Sequence, residues 1–134
     1  MLIILYLIAL NGLANDIKIT KIKDGDTVEI LIPGLPEEIG NTIGLRIQGV
    51  DTPEIRGKCA EEIERARQAK LFLFNAINQA KSTEVRILKR DKYFRLLGDI
   101  VIDGQLASEL LIKNGLARPY QGKRRAPWCA GLIG

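Results

Sequence analysis

At 134 residues, 46% of them hydrophobic and 27% charged, the chain has the size and composition of one globular domain rather than of a disordered segment. Its net charge of +4 suits a polyanionic partner such as nucleic acid about as well as it suits any mildly basic soluble protein. Histidine is absent, which excludes Ser-His-Asp triads, Cys-His pairs and His-Glu-x-x-His zinc sites, and leaves a carboxylate, lysine, tyrosine or metal-bound hydroxide as any general base.

Residues Leu2 to Leu10 form an unbroken apolar run followed by Asn11-Gly12-Leu13-Ala14. The run is far shorter than the ~20 residues that span a bilayer. Gly12 and Ala14 supply the small side chains that signal peptidase prefers, so residues 1–14 read as a signal peptide and the mature chain is expected to be secreted or periplasmic. No Lys or Arg precedes Lys18. An upstream start, an atypical signal, an uncleaved anchor or a buried first strand are the other readings of the same segment. The folded domain is then 15–134.

Ile17 to Lys23 alternates apolar and polar residues, the pattern of a half-buried strand. Asp24-Gly25-Asp26-Thr27 reads as a tight turn with Gly25 free to take a positive φ, and Val28, Ile30 and Ile32 continue into the second strand of a hairpin. Pro33 to Gly44 reads as an exposed loop. Leu45 to Val50 is a third strand, broken at Asp51-Thr52-Pro53-Glu54 because proline fixes φ and lacks an N–H.

Cys59 to Ala80 is the clearest helix: Ala66, Ala69, Leu73, Ala76 and Ala80 recur every three or four residues, with Leu71, Phe72 and Phe74 as apolar support. Thr83 to Leu88 and Leu96 to Ile102 are the fourth and fifth strands, the latter closed by Asp103-Gly104. Gln105 to Asn114 is a short second helix that stops at Gly115. The pattern predicts a mixed α/β, mainly β fold. It is a five-stranded OB-fold β-barrel with a helix between strands 3 and 4 and a short C-terminal helix, a scaffold whose face commonly binds oligonucleotides. A generic α+β sandwich is the alternative.

Several carboxylates and arginines could converge on this frame. Phosphodiester cleavage needs charge neutralisation at the phosphoryl oxygens, an activated water and help for the leaving oxygen. A hard divalent cation held by carboxylates and a carbonyl serves the first two, and arginine forks reinforce the first. Asp26, Asp51, Glu54, Arg46 and Arg95 are residues of those kinds. Taken singly, each has a plain structural reading. Asp24 and Asp26 suit turn chemistry, Arg46 a solvated strand position, Asp51 its own turn, Glu54 a helix start, and Arg95 stacking on a ring.

Four ordered stretches break that tie. Asp24-Gly25-Asp26-Thr27-Val28, Leu45-Arg46 through Val50-Asp51-Thr52-Pro53-Glu54, Asp91-Lys92-Tyr93-Phe94-Arg95, and Asn114-Gly115-Leu116-Ala117 with Tyr120 beyond closely resemble the staphylococcal nuclease (thermonuclease) family. The resemblance runs from Ile22 to Tyr120. It implies an OB-barrel that hydrolyses DNA and RNA with calcium, without regard to the sugar, by expelling the 5′-oxygen to leave 3′-phosphate ends. On matching positions it implies Asp26 and Asp51 as calcium ligands, with the Thr52 carbonyl as a further oxygen. It likewise implies Glu54 as the base or water-orienting group, Arg46 and Arg95 as phosphate clamps, and Lys92, Tyr93 and Tyr120 as the lining of the nucleotide pocket.

Two departures stand out: Phe94 occupies a position where the family has glycine, and the sequence shows no long helix after Trp128. In an exported chain Cys59 and Cys129 are expected to pair, tying the tail to the start of the long helix; in a cytosolic one they would be two free buried thiols. The resemblance implies no stable protein partner, and a monomer is expected. The competing reading is a non-catalytic OB-fold module that binds single-stranded nucleic acid.

Overall fold

The computed structural model describes residues 16–38, 40–91 and 94–130, so the apolar run at 1–14 and the Lys92-Tyr93 pair lie outside the described residues. In chain order the elements are β1 (Lys18–Asp24), β2 (Thr27–Leu31), β3 (Thr42–Ile47), β4 (Val50–Asp51), α1 (Ala60–Gln79), β5 (Thr83–Arg90), β6 (Arg95–Ile102), β7 (Gln105–Leu106), α2 (Ala107–Lys113) and β8 (Arg118–Pro119). The five long strands pair in the order β1-β2-β3-β6-β5, antiparallel throughout except for the parallel β3–β6 pair. That meander, parallel jump and return hairpin is the strand order of the OB-fold. The recorded pairings close no ring among the described residues, in keeping with a partly open barrel. The fold is mixed α/β and mainly β. No helix among the described residues is long and apolar enough to cross a membrane.

Alternation in the strands sends one face inward. Val28 and Ile30 from β2, Leu45 and Ile47 from β3 and Ile100 from β6 are fully buried, and Leu73 of α1 and Leu111 of α2 pack against them. Several strand boundaries differ from expectation: the third strand is interrupted after Ile47 and resumes as β4, β5 runs on to Arg90, and β3 begins at Thr42, inside the stretch read as loop. Thr42, Ile43 and Gly44 pair with Leu31, Ile30 and Glu29, so burial of Ile30 beside Ile43 overrides the local glycine and proline signals.

Helix α1 starts where Cys59 Sγ accepts the Glu62 N–H at 3.4 Å, and it ends at Ala80, whose N–H turns back to the Ile77 carbonyl. Its buried face is narrow: Ala66, Ala69 and Leu73 point inward, whereas Leu71 and Phe74 face solvent and are not the apolar support expected of them. On its exposed face Glu61 and Arg65 form an i,i+4 pair at 3.1 Å. Small residues on that face let the β1–β2 turn come close. A Cβ added at Gly25 would sit 2.7 Å from the Ala69 Cβ, and Gly25 is not among the glycines with positive φ. Glycine is needed there for close approach, not for the conformation expected from the sequence.

The second helix is shorter than expected at its start. Asp103 (φ 47°) and Gly104 (φ 82°) form a left-handed two-residue hairpin turn, and Gln105–Leu106 pair back onto Ile102 and Val101 as β7 before α2 begins. Asn114 and then Gly115, with φ 70°, close α2 as expected.

Candidate active site

Two local structures deliver most of the site. The β1–β2 turn presents Asp26, whose backbone carbonyl accepts the Ile47 N–H at 2.7 Å and whose Oδ2 accepts the Thr52 N–H at 3.3 Å. The turn carrying Asp26 is thereby stitched to both sides of the β3–β4 break. In the other, β4 pairs with β8, setting Asp51 opposite Arg118 and Val50 opposite Pro119, while the Tyr120 N–H donates to the Gly49 carbonyl at 2.9 Å.

Arg46 leaves β3 beside this break. Its Nη1 donates to the Ile47 and Val50 carbonyls at 2.8 and 3.1 Å, its Nη2 lies 3.6 Å from Asp26 Oδ2, and its guanidinium sits 5.5 Å from the centre of the Tyr120 ring. Those contacts hold one guanidinium in place before any substrate arrives. Arg95 enters from β6, in parallel register opposite Gly44, and its Nε donates to Asp91 Oδ2 at 2.5 Å while the Asp91 N–H bonds the Arg95 carbonyl at 2.9 Å. Asp26, Arg46, Glu54, Arg95 and Tyr120 all line one cleft of about 900 Å³, together with Asp24 and the basic end of β5 at Lys89 and Arg90. Lys92 and Tyr93, expected beside them, fall outside the described residues.

Asp51 and Thr52 lie beneath the cleft, 2% and 1% exposed. Asp51 Oδ2 accepts from Trp128 Nε1 at 3.1 Å and from Arg118 Nη2 at 3.4 Å. Its Oδ1 is buried against Arg125 Nη2 in a close ion pair. Arg125 also pairs with Glu54 Oε1 and donates to the Thr52 carbonyl at 3.1 Å. Asp51 Oδ1 and the Thr52 carbonyl thus meet at Arg125 Nη2 and Glu54 Oε1 at its Nη1, while Asp26 Oδ2 is joined to them through the Thr52 N–H. A hard cation seeks all-oxygen donors of this kind, and the residues present fit calcium.

Burial pushes the Asp24 carboxyl above its ordinary value, with the nearby Asp26 and Glu54 charges adding to the effect; the Ile55 N–H and Lys70 oppose it. Burial alone would lower the Arg125 guanidinium, but hydrogen bonds and charge from Glu54 and Asp51 outweigh it and raise it overall, so this arginine stays charged.

The long helix supports the site from behind. Glu62, buried in the first turn of α1, accepts the Glu54 N–H at 3.1 Å and the Lys58 N–H at 3.0 Å. Cys59 and Cys129 are joined by a disulfide with Cα atoms 6.0 Å apart. Cys59, Glu62 and Cys129 bring their ligand atoms close together, but the sulfurs are bonded and Glu62 is committed to backbone donors. This cluster fastens the tail to the helix.

Five contributors escape a reading of the sequence alone: Asp24, which was read as a turn former, Glu62, Arg118, Arg125 and Trp128. In the sequence Lys123-Arg124-Arg125 and Pro127-Trp128-Cys129 form a basic and aromatic cluster. Nothing in its spacing links it to Asp51.

A family model described as "Staphylococcal nuclease homologue" matches residues 44–128, which leaves the hairpin with Asp26 just outside the match. The SPbeta prophage-derived endonuclease YokF of Bacillus subtilis (strain 168) is 31% identical over 106 residues, covering 77% of this chain and 33% of its own length. Endonuclease YncB of the same strain is 33% identical over 98 residues, 71% of this chain and 43% of its own. The staphylococcal-like nuclease CAN1 of Arabidopsis thaliana is 27% identical over 84 residues, 63% of this chain and 24% of its own. The chain thus spans less than half the length of each of these curated relatives.

Proposed function

The chain belongs to the staphylococcal nuclease homologue family, and we propose that it is a calcium-dependent, sugar-non-specific nuclease that hydrolyses phosphodiester bonds in DNA and RNA. The observation that carries this reading is the convergence of Asp26, Glu54, Arg46 and Arg95 on one cleft, with the buried Asp51-Thr52 pair immediately preceding two of its lining residues, Pro53 and Glu54. Calcium would be held by Asp26, Asp51 and the Thr52 carbonyl, where it would neutralise phosphoryl oxygens and lower the pKa of a bound water.

The chain's own residues supply the remainder. Arg46, fixed by Asp26 and the Tyr120 ring, and Arg95, steadied by Asp91, present paired N–H donors to the phosphoryl oxygens, whose negative charge grows as water adds to phosphorus. Glu54 takes the attacking water's proton. The P–O5′ bond breaks, the departing oxygen takes up a proton to become a 5′-hydroxyl, and the phosphate stays on the 3′ side. Tyr120 with Lys92 and Tyr93 would line the nucleotide pocket. Base discrimination is low, because arginines read phosphate and aromatic rings accept any base face.

The Cys59–Cys129 bond supports export of the chain to a secreted or periplasmic location, since disulfides persist in oxidising compartments. We take the working unit to be a monomer. Incubation of the purified chain with plasmid DNA and with RNA, in calcium and in EGTA, tests the function. Degradation in calcium alone, with 3′-phosphate products, is expected. Binding without cleavage in calcium would instead support a non-catalytic OB-fold module.

A further inference from the structure

The oxygen cradle at the break after β4 already holds a cation that belongs to the chain. Arg125 contacts Asp51 Oδ1, the Thr52 carbonyl and Glu54 Oε1, which are two of the oxygen donors suited to calcium and the carboxylate suited to act as base. We propose that Arg125 is a tethered counter-cation that occupies the metal cradle and must swing out before a divalent cation enters, so that the tail sets the site's metal affinity from within. This inference rests on the metal-dependent reading given above and names a control on that same site.

Three features carry it. The first is the state of Asp51 Oδ1, whose close ion pair with Arg125 Nη2 lies off the guanidinium's N–H direction. A guanidinium satisfies an oxygen only along its N–H directions, whereas a spherical cation has no such requirement, so the pair is adequate and replaceable.

The second is the anchoring of the tail by contacts that do not involve Arg125. Cys129 is bonded to Cys59, and Arg118 donates to the Ala126 and Pro127 carbonyls at 2.7 and 3.3 Å. Arg118 also lies 3.6 Å from the centre of the Trp128 ring. Displacing Arg125 therefore asks one side chain to move while its backbone stays in place. Its side chain is 35% exposed and borders the cleft, so the rotation has somewhere to go.

The third is charge. Asp24, Asp26, Asp51 and Glu54 crowd one region, with Arg46 beside Asp26 and Arg118 beside Asp51. Arg125 is the cation set between Asp51 and Glu54, and it holds them together against their mutual repulsion. A site whose open form is only fractionally populated binds its ligand more weakly by that fraction.

The chain carries its own reporter, since its one tryptophan, Trp128, hydrogen-bonds the Asp51 carboxylate. Calcium is titrated into the full chain and into Arg125→Gln, Arg125→Lys and Arg124→Gln variants, with Kd read from Trp128 fluorescence and from calorimetry. Arg124 is the neighbouring exposed arginine and controls for loss of one positive charge. Arg125→Gln is expected to tighten the calcium Kd tenfold or more, Arg125→Lys about threefold, and Arg124→Gln less than twofold.

An Arg125→Gln Kd equal to or weaker than that of Arg124→Gln overturns the inference. That is also the result if Arg125 serves only to bind substrate phosphate. Should circular dichroism show Arg125→Gln unfolded, Arg125→Lys decides by the same comparison. Calcium binding by the unmodified chain with no tightening in the variants defeats this inference alone. Failure of every variant to bind calcium at millimolar concentration defeats the metal-dependent reading together with it.

Discussion

Glu62 on helix α1 accepts the backbone N–H of Glu54 through its Oε2 at 3.1 Å, so the proposed base stands on a peptide held by a carboxylate inside the fold. The other Glu62 oxygen accepts from Lys58, and the two bonds pin both ends of the loop between β4 and α1. Glu62→Gln turns one acceptor into a donor facing a backbone N–H. We expect a stability loss of about 1–3 kcal/mol, the cost of leaving a buried donor unpaired. Turnover should fall with it, because Glu54 loses its fixed footing. Urea denaturation and kcat on the same preparation check both; unchanged turnover would show that the loop holds its shape without Glu62.

Glu54→Gln and Arg95→Ala address the chemistry directly. Each removes a group that acts on the reacting phosphate and not on the core, so each should lower kcat by roughly a hundredfold or more while leaving the unfolding midpoint nearly unchanged. Turnover near that of the unmodified chain in both would eliminate the proposed roles.

The disulfide closes a loop with a sequence separation of 70 residues. In the chain-entropy account such a closure stabilises by about 4 kcal/mol. The Cys59→Ser, Cys129→Ser double variant, compared with the oxidised chain in urea, should show a loss of that order. Thiol titration of the denatured, unreduced chain should find no free thiol, and two free thiols would contradict the bond.

Gly25→Ala tests the contact between turn and helix. The new methyl would meet Ala69 at 2.7 Å, and overpacking of this kind costs about 1–3 kcal/mol. Ala69→Gly, which by itself weakens the helix by roughly 1 kcal/mol, should recover part of the loss in the double variant. Strictly additive losses in a double-mutant cycle would mean that the turn relaxes elsewhere.

Asp24 gives a pH dependence with a definite sign. Its folded-state carboxyl is raised above the ordinary 3.8, mainly by burial, so the unfolded chain gives up this proton at a lower pH than the folded chain does. Stability from this group is therefore unaffected well below 3.8 and declines as pH rises through the raised folded value. Asp24→Asn should gain in Tm relative to the unmodified chain over that rise, measured without added metal. A constant Tm difference at all pH values would refute the assignment.

Part of this site has local geometry, while Arg95 and Tyr120 come from distant elements and are reached in the sequence only through the family resemblance. Arg46, Asp51, Thr52 and Glu54 come from one strand and the break that ends it, and Asp26 from a four-residue turn. The disulfide that folds the tail back is expected from the two cysteines, but the pairing of β8 with β4 and the placing of Arg125 against Asp51 are relationships that no spacing rule encodes. Similar physics explains the misread elements. The start of β3 is fixed by Ile43 meeting Ile30 across the sheet, while Leu71 and Phe74 are left outside because only a narrow stripe of α1 touches the barrel. Gly25 was recognised as necessary, yet its reason, the approach of Ala69, lies on another element.

The parallel pairing of β3 with β6 has a kinetic consequence. Arg46 and Arg95 become neighbours only after the whole of α1 and β5 has been laid down between them, and Asp51 is clasped only when β8 and the tail return. Contacts this distant along the chain bring little reward until long loops have closed, so they form late and slowly. During synthesis the hairpin and the long helix can organise while the two arginines are still far apart. The cleft lined by both arginines is therefore completed only near the end of folding, and a chain that stops before β6 lacks one of its two walls.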